Sequence, residues 1–322
     1  MLQQLYNLVV ASSLAYTWPL VIIAGLLVWR LYKFVLLPHL NPSEPKPLPY
    51  LIPFLGHTLS FITNSEHFLS SGKERMGGTD TPYAITLGGR KVYVINDPKD
   101  VGYVYRSSAA LSFEGFLRNI VADFGISPSG VEKLFQKRPS DLHPNSNEGI
   151  SVAQAFHKMQ VRQGQGKDLR ELEQHVDTFF QNNLFLESMM KEKACQPSFL
   201  AEAIKNDRCV TLKGWTAEVF INCTQNLYFG EALAKINPRL PQMLREFDDL
   251  SWQVFYGYPK FLRGQLSKVA EELIGTFRQY LKVAREERGS KAWFMGALED
   301  EYRAAGLVDN DIASQFLFLY WG

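Results

Sequence analysis

From Met1 to Trp29 the chain carries no charged residue, and Arg30 and Lys33 follow at once. The most apolar part is "WPLVIIAGLLVW", and "LVVASSLAY" extends it backwards. At about 1.5 Å per helical residue, such a run is long enough to cross a hydrocarbon core of about 30 Å. A cleaved signal peptide is the alternative. It would put positive charge ahead of a shorter apolar stretch and small residues after it. Here the charges come behind the run and the bulky "LYKFVLLP" succeeds it, which favours a membrane anchor. Arg30, Lys33 and Lys46 on the C-terminal side leave the body in the cytosol by the positive-inside rule. Tyr16, Trp18, Trp29 and Tyr32 stand where interfacial aromatics would sit. Asn222, Cys223 and Thr224 form a glycosylation sequon that this topology would leave unused.

The anchor takes in residues 1–37, and residues 38–54 form a connector with prolines at 38, 42, 45, 47, 49 and 53. Proline fixes φ and removes an N–H donor, so neither a helix nor a central strand is expected there. Residues 55–322 are the body. "PYAITLGGRKVYVIND" alternates Tyr83, Ile85 and Leu87, then Val92 and Val94, around Gly88 and Gly89, the pattern of a hairpin. "DPKD" reads as a turn and a helix start.

Beyond it the chain reads as helical. Asp168 and Glu171 have capping-box spacing, with Leu169, Leu172, Val176, Phe179 and Leu186 on one face. A second helix carries Trp215, Val219, Cys223 and Leu227 and stops at Gly230. A third carries Leu240, Leu244, Phe247 and Val254; a fourth carries Leu266, Val269, Leu273, Phe277, Tyr280 and Ala284. Asp309 and Asp311 are N-cap candidates for a fifth, from Ile312 onward. Such stripes are core-facing unless something else marks them. The fold class is therefore mainly α with a small β-hairpin behind a transmembrane helix.

Several function classes fall away. Lys plus Arg number 34 against 33 Asp plus Glu, so no electrostatic footprint points to nucleic acid. Cys195, Cys209 and Cys223 show no C-x-x-C or zinc spacing, and the six histidines are scattered, so no metal site is expected from spacing. There is no G-x-S-x-G elbow, P-loop or H-E-x-x-H.

The order of anchor, proline connector, helix, Gly-Gly hairpin and long helical stretch resembles the N-terminal part of a microsomal cytochrome P450, a haem-thiolate monooxygenase. "LPYLIPFLGHTLSF" looks like that family's hinge and first helix, and "PYAITLGGRKVYVINDPKDV" like its first two strands. "LSFEGFLRNIVADFGI" is similar to its substrate-lining segment, "NLYFGEAL" to the close of its mid-chain helix, and "YGYPKFL" to the connection capping its pocket. Within the family these resemble the branch of sterol hydroxylases, prostacyclin synthase and many fungal secondary-metabolite oxidases.

The resemblance implies haem, a lipophilic small-molecule substrate, an NADPH-dependent reductase as electron donor, and a single-pass place in the endoplasmic reticulum membrane, in contact with lipid. It also implies that Phe113, Phe116, Leu117, Phe318 and Trp321 line a substrate pocket; without it they would be core. His157, Lys158 and Arg162 are the candidates for a haem-propionate contact, a solvated helix face being the other reading. The family's iron needs a cysteine thiolate in a glycine-containing loop after a phenylalanine. None of the three cysteines has that context, and no Glu is followed three residues later by Arg, the family's E-x-x-R pair. "DNDIASQFLFLYWG" resembles the start of the family's central, proton-delivering helix. The expectation is thus of an incomplete monooxygenase domain ending in that helix, with a membrane-tethered, non-catalytic remnant as the alternative.

Overall fold

In the computed structural model, residues 18–78, 80–107, 110–183, 212–255, 258 and 260–321 are described. They form a mainly helical molecule with one small sheet, and the chain divides into a unit of Met1–Ser112 and a unit of Phe113–Gly322.

The first unit opens with α1, Trp18–Leu40, which is long and apolar enough to cross a membrane and has none of its most apolar window buried in protein. A π-helical turn, Tyr32–Leu36, interrupts it just ahead of Pro38, which has no N–H to give to the helix ladder. The helix thus reaches three residues into the expected connector. The connector also contributes a strand, β1 (Lys46–Pro47), at the edge of the sheet and parallel to β2 (Tyr83–Leu87). An edge is where a proline-rich strand is tolerated. β2 pairs antiparallel with β3 (Arg90–Val94), and Gly88 and Gly89 make the two-residue turn at φ 54° and 78°. Both angles lie in the left-handed region that a primed hairpin turn requires.

Helices α2 (Thr58–Thr63) and α3 (Ser65–Arg75) bury Phe61 and Phe68 against Tyr83 and Ile85. His57 ties the connector to this sheet. Its Nδ1 accepts from the Thr86 N–H at 3.2 Å, so Nε2 carries the proton and donates to the Pro49 carbonyl at 3.4 Å. Arg30, at the end of the apolar run, donates to the Tyr50 carbonyl at 3.0 Å, and Trp29 and Phe34 pack their rings on Tyr50. The unit closes with α4, Pro98–Arg106, capped by Asp97.

The second unit contains α5 (Glu114–Asp123), α6 (Pro128–Phe135), α7 (Val152–Gln163), α8 (Gly166–Asn183), α9 (Leu212–Ile236), α10 (Leu240–Phe255), α11 (Gly264–Leu281), the short α12 (Arg285–Arg288), α13 (Trp293–Ala304) and α14 (Asp309–Trp321). The stripes of α10 and α11 are buried, including Leu240, Leu244, Phe247 and Val254 on the first and Leu266, Val269, Leu273, Phe277 and Tyr280 on the second. α8 starts two residues before Asp168, which lies in its first turn. A capping box forms instead on α7, between Ser151 and Gln154. Leu172 is buried, while Leu186 lies outside the described residues. At Gly230 the backbone turns to φ 68° and ψ −168°, and the chain then re-enters helix as far as Ile236. The sequon Asn222–Thr224 lies inside α9.

α14 packs along α11 in the middle of this unit, and seven consecutive residues, Asp311 to Leu317, are buried. Phe229 of α9, Phe277 and Tyr280 of α11, and Phe316 and Tyr320 of α14 form a ring cluster at centroid distances of 5.1 to 6.3 Å. Each fully buried ring of this size contributes about 1.5–3 kcal/mol. That burial explains how a helix reading "IASQFLFLYW" is held on most of its sides.

Candidate functional site

Three elements bring the expected pocket residues together. Phe113 is the N-cap residue of α5 and Phe116 lies in its first turn; their ring centroids are 5.0 Å apart. Phe116 stands 6.3 Å from Phe255, the last residue of α10, and Phe255 stands 5.3 Å from Trp321, the last residue of α14. Trp321 in turn meets Phe124 at 5.5 Å, and Phe124 meets Phe318 at 5.2 Å and Phe247 at 5.2 Å. Four of the five sequence-derived candidates therefore belong to one continuous aromatic run. Leu117 is half-buried on the same helix α5.

Polar contacts position the run. The Trp321 indole N–H donates to Asp248 Oδ1 at 2.9 Å, which sets the ring's orientation from α10. At the far end of α5, Asp123 accepts from Arg263 at 2.8 Å and pairs with Lys260 at 2.9 Å. Burial pushes the Asp123 carboxyl up, but the hydrogen bonds from Arg263 and Lys260 outweigh this and hold it below its ordinary range. Arg263 Nε also donates to the Tyr258 carbonyl, so one guanidinium joins α5 to the turn between α10 and α11. The start of α14 is fixed by Asp311, whose two oxygens accept from the backbone N–H and the hydroxyl of Ser127. Asp311 does not cap its own helix. It binds the residue that caps α6.

Deeper along α14, the Tyr320 hydroxyl donates to Gln225 Oε1 at 3.0 Å and Tyr302 donates to Gln315 Oε1 at 3.2 Å. Burial raises both phenols, so they stay neutral donors. Phe255 and Asp248 escaped the sequence reading. The signal for Phe255 was the aromatic density of "WQVFYGYP" just ahead of the glycine and proline that end α10.

His157, Lys158 and Arg162 are all exposed on α7. Lys158 pairs with Glu148, while Arg162 pairs with Asp168 at 3.5 Å and lies 4.4 Å over the Trp293 ring.

No protein-family model matches the chain. Among curated proteins it is similar to the cytochrome P450 monooxygenase poxD of Penicillium oxalicum, 30% identical over 108 residues. That stretch is 33% of this chain and 22% of the relative, so the chain matches about a fifth of that protein's length. The match supports a cytochrome P450-like relationship at the level of the family. A P450-like fold agrees with the helical body, the three-stranded sheet and the one helix among the described residues that is long and apolar enough to cross a membrane.

Such a relationship implies haem and, in general, a reductase, so the described residues can be tested as ligands. Cys223 is the cysteine among them. It is buried on α9, and burial pushes its thiol up, favouring the protonated form over the thiolate that iron ligation requires. No group of three or more His, Cys, Asp or Glu among the described residues could hold a metal ion. Cys195 and Cys209 lie outside the described residues. The donors described here do not fit a haem-thiolate centre.

Proposed function

We propose that this chain supplies the membrane anchor and the substrate-facing wall of a cytochrome P450-type monooxygenase acting on a lipophilic small molecule of the secondary-metabolite kind. The observation that carries this reading is the aromatic run of α5, α10 and α14, which joins segments the resemblance assigns to a substrate pocket. Its apolar rings, with few polar groups between them, suit a lipophilic ligand. On this reading α1 crosses the endoplasmic reticulum membrane once, the body is cytosolic, and an NADPH-dependent reductase supplies electrons.

A second reading is favoured by the donor set: a membrane-tethered, non-catalytic relative that holds no haem. Cys223 is unsuited to ligate iron, and neither the cysteine loop nor the E-x-x-R pair occurs in these 322 residues. One spectrum tests the remnant reading. If the chain as given, reduced under carbon monoxide in the presence of added haem, shows the thiolate-haem band, the remnant reading fails. The expected result is no such band, with binding of lipophilic ligands retained. Loss of that binding as well would overturn the pocket reading.

A further inference from the structure

The connector leaves the edge of β2 after Leu48, whose N–H donates to the Ala84 carbonyl at 2.8 Å, and it returns to that edge at His57. There one residue takes both backbone groups of Thr86. The His57 backbone N–H donates to the Thr86 carbonyl at 2.8 Å, and Nδ1 of its ring accepts from the Thr86 N–H at 3.2 Å. Gly56 permits this approach, because a Cβ there would collide with the Thr86 carbonyl. Between the two contacts, Pro49 and Pro53 have no N–H to give to a strand edge. The imidazole completes a pairing that the connector's backbone leaves open.

That pairing depends on the charge of the ring. Nδ1 accepts only while it carries no proton, and a backbone N–H cannot reverse its role. Nε2, 3.4 Å from the Pro49 carbonyl, already holds the first proton. A second one would set two N–H groups against each other. His57 is 7% exposed, with Tyr50 of the connector at 5.2 Å and Phe68 of α3 at 5.1 Å from its ring. Burial is the main cause that holds its pKa below the ordinary 6.5, and the charge of Arg75 on α3 acts in the same direction. The backbone contacts to Pro49 and Thr86 pull the other way without cancelling this, and no described carboxylate acts on the ring.

We infer that His57 is an acid-sensitive latch: with a neutral ring it closes the connector onto the edge of β2, and on taking up a proton it lets Thr86 go and loosens residues 49–57 from the sheet. That stretch carries Tyr50, on which Trp29, Arg30 and Phe34 of α1 rest. The latch therefore sets how firmly the sheet is held to α1. Since the folded form binds this proton less readily than the unfolded one, the latch is closed above about 6.5 and opens as pH falls through the lower folded value.

The test uses the full chain in lipid nanodiscs and follows two signals from neutral pH downward: the His57 ring nitrogens, by NMR of isotope-labelled histidine, and the hydrogen-exchange protection of the Thr86 amide. At neutral pH, Nδ1 should be unprotonated and Thr86 protected. As the ring gains its proton, Thr86 protection should fall about tenfold, the worth of one hydrogen bond, while the N–H groups that β2 shares with β3 keep theirs. His57→Asn offers a side-chain oxygen to the Thr86 N–H and has no proton to gain, so its Thr86 protection should hold over the same range. Protection that stays constant in the unmutated chain while the ring is protonated overturns the inference. So does a ring that stays neutral until the whole chain unfolds, or an Asn variant that loses protection as its parent does. The first two outcomes are read on the unmutated chain and do not depend on how the variant folds.

Discussion

Asp311, near the start of α14, grips Ser127 at the start of α6 with both carboxylate oxygens, one on the backbone N–H and one on the hydroxyl, each at 2.8 Å. The residues are 184 positions apart, and Asp311 is buried. Gly130 makes room for it, since a Cβ there would sit 2.5 Å from Asp311 Oδ2. Replacing Asp311 by Ala takes the acceptor from two part-buried donors of Ser127, at up to about 1–3 kcal/mol for each group left unsatisfied, the hydroxyl keeping Ser129 at 3.1 Å as an alternative. Asp311→Asn keeps one acceptor and loses less. Urea unfolding of the two variants should rank Ala well below Asn, with both below the unmutated chain; equal midpoints would show that the contact does not hold α14 in place.

Gly230 is the second place where one position decides the packing. Its φ of 68° with ψ near −168° belongs to a region that is essentially glycine's alone, and a Cβ would lie 2.1 Å from the Arg288 carbonyl oxygen. Gly230→Ala therefore incurs backbone strain of about 1–3 kcal/mol and a backbone clash that no rotamer relieves. The expected outcome is a variant that unfolds at markedly lower urea, while Gly296→Ala, on α13 with open space around its Cβ position, stays within about 1 kcal/mol of the parent or gains slightly.

Much of this architecture is legible in the residue pattern. The stripes of α10 and α11 are periodic and buried as spaced, and Gly88-Gly89 makes the expected hairpin turn, because period and turn chemistry are local properties. α13 shows why the rest was not. Its Glu299 and Glu301 look like solvent positions, yet both are buried with partners from outside α13, Arg288 eleven residues back for the first, and His143 and the Asn145 backbone N–H more than 150 residues back for the second. Asp311 has the position of a cap and serves a distant helix instead. In the candidate site, Phe113, Phe116, Phe318 and Trp321 were reached through resemblance, whereas Phe255 and Asp248 entered only when α10 was placed beside α14. Long-range polar pairing leaves no periodicity to read.

Glu299 gives a pH dependence with a definite sign. Burial pushes its carboxyl up, but the hydrogen bonds from Arg288 and Arg303 outweigh this, and the group titrates below its ordinary 4.5. Arg285 adds a contact at 3.3 Å. Since the folded form binds its proton less readily than the unfolded one, the stabilisation is fully present above about 4.5 and is lost as pH falls through the lower folded value. Urea midpoints measured from neutral pH down into this range should fall, and Glu299→Gln should show a shallower fall from a lower starting point. An identical slope in the variant would mean that other carboxylates carry the acid sensitivity.

Cys223 offers a kinetic test of the interior. It is 6% exposed, and burial raises its thiol, so both access and thiolate fraction work against reaction. In a Cys195→Ser/Cys209→Ser background, where it is the one thiol left, a disulfide reagent such as 5,5′-dithiobis(2-nitrobenzoic acid) should modify it slowly at neutral pH. The rate should rise steeply across the urea transition, because the thiol must be uncovered before it can attack. Fast labelling in native buffer would mean that α9 opens readily around Cys223, and the packing described for that helix would have to be revised.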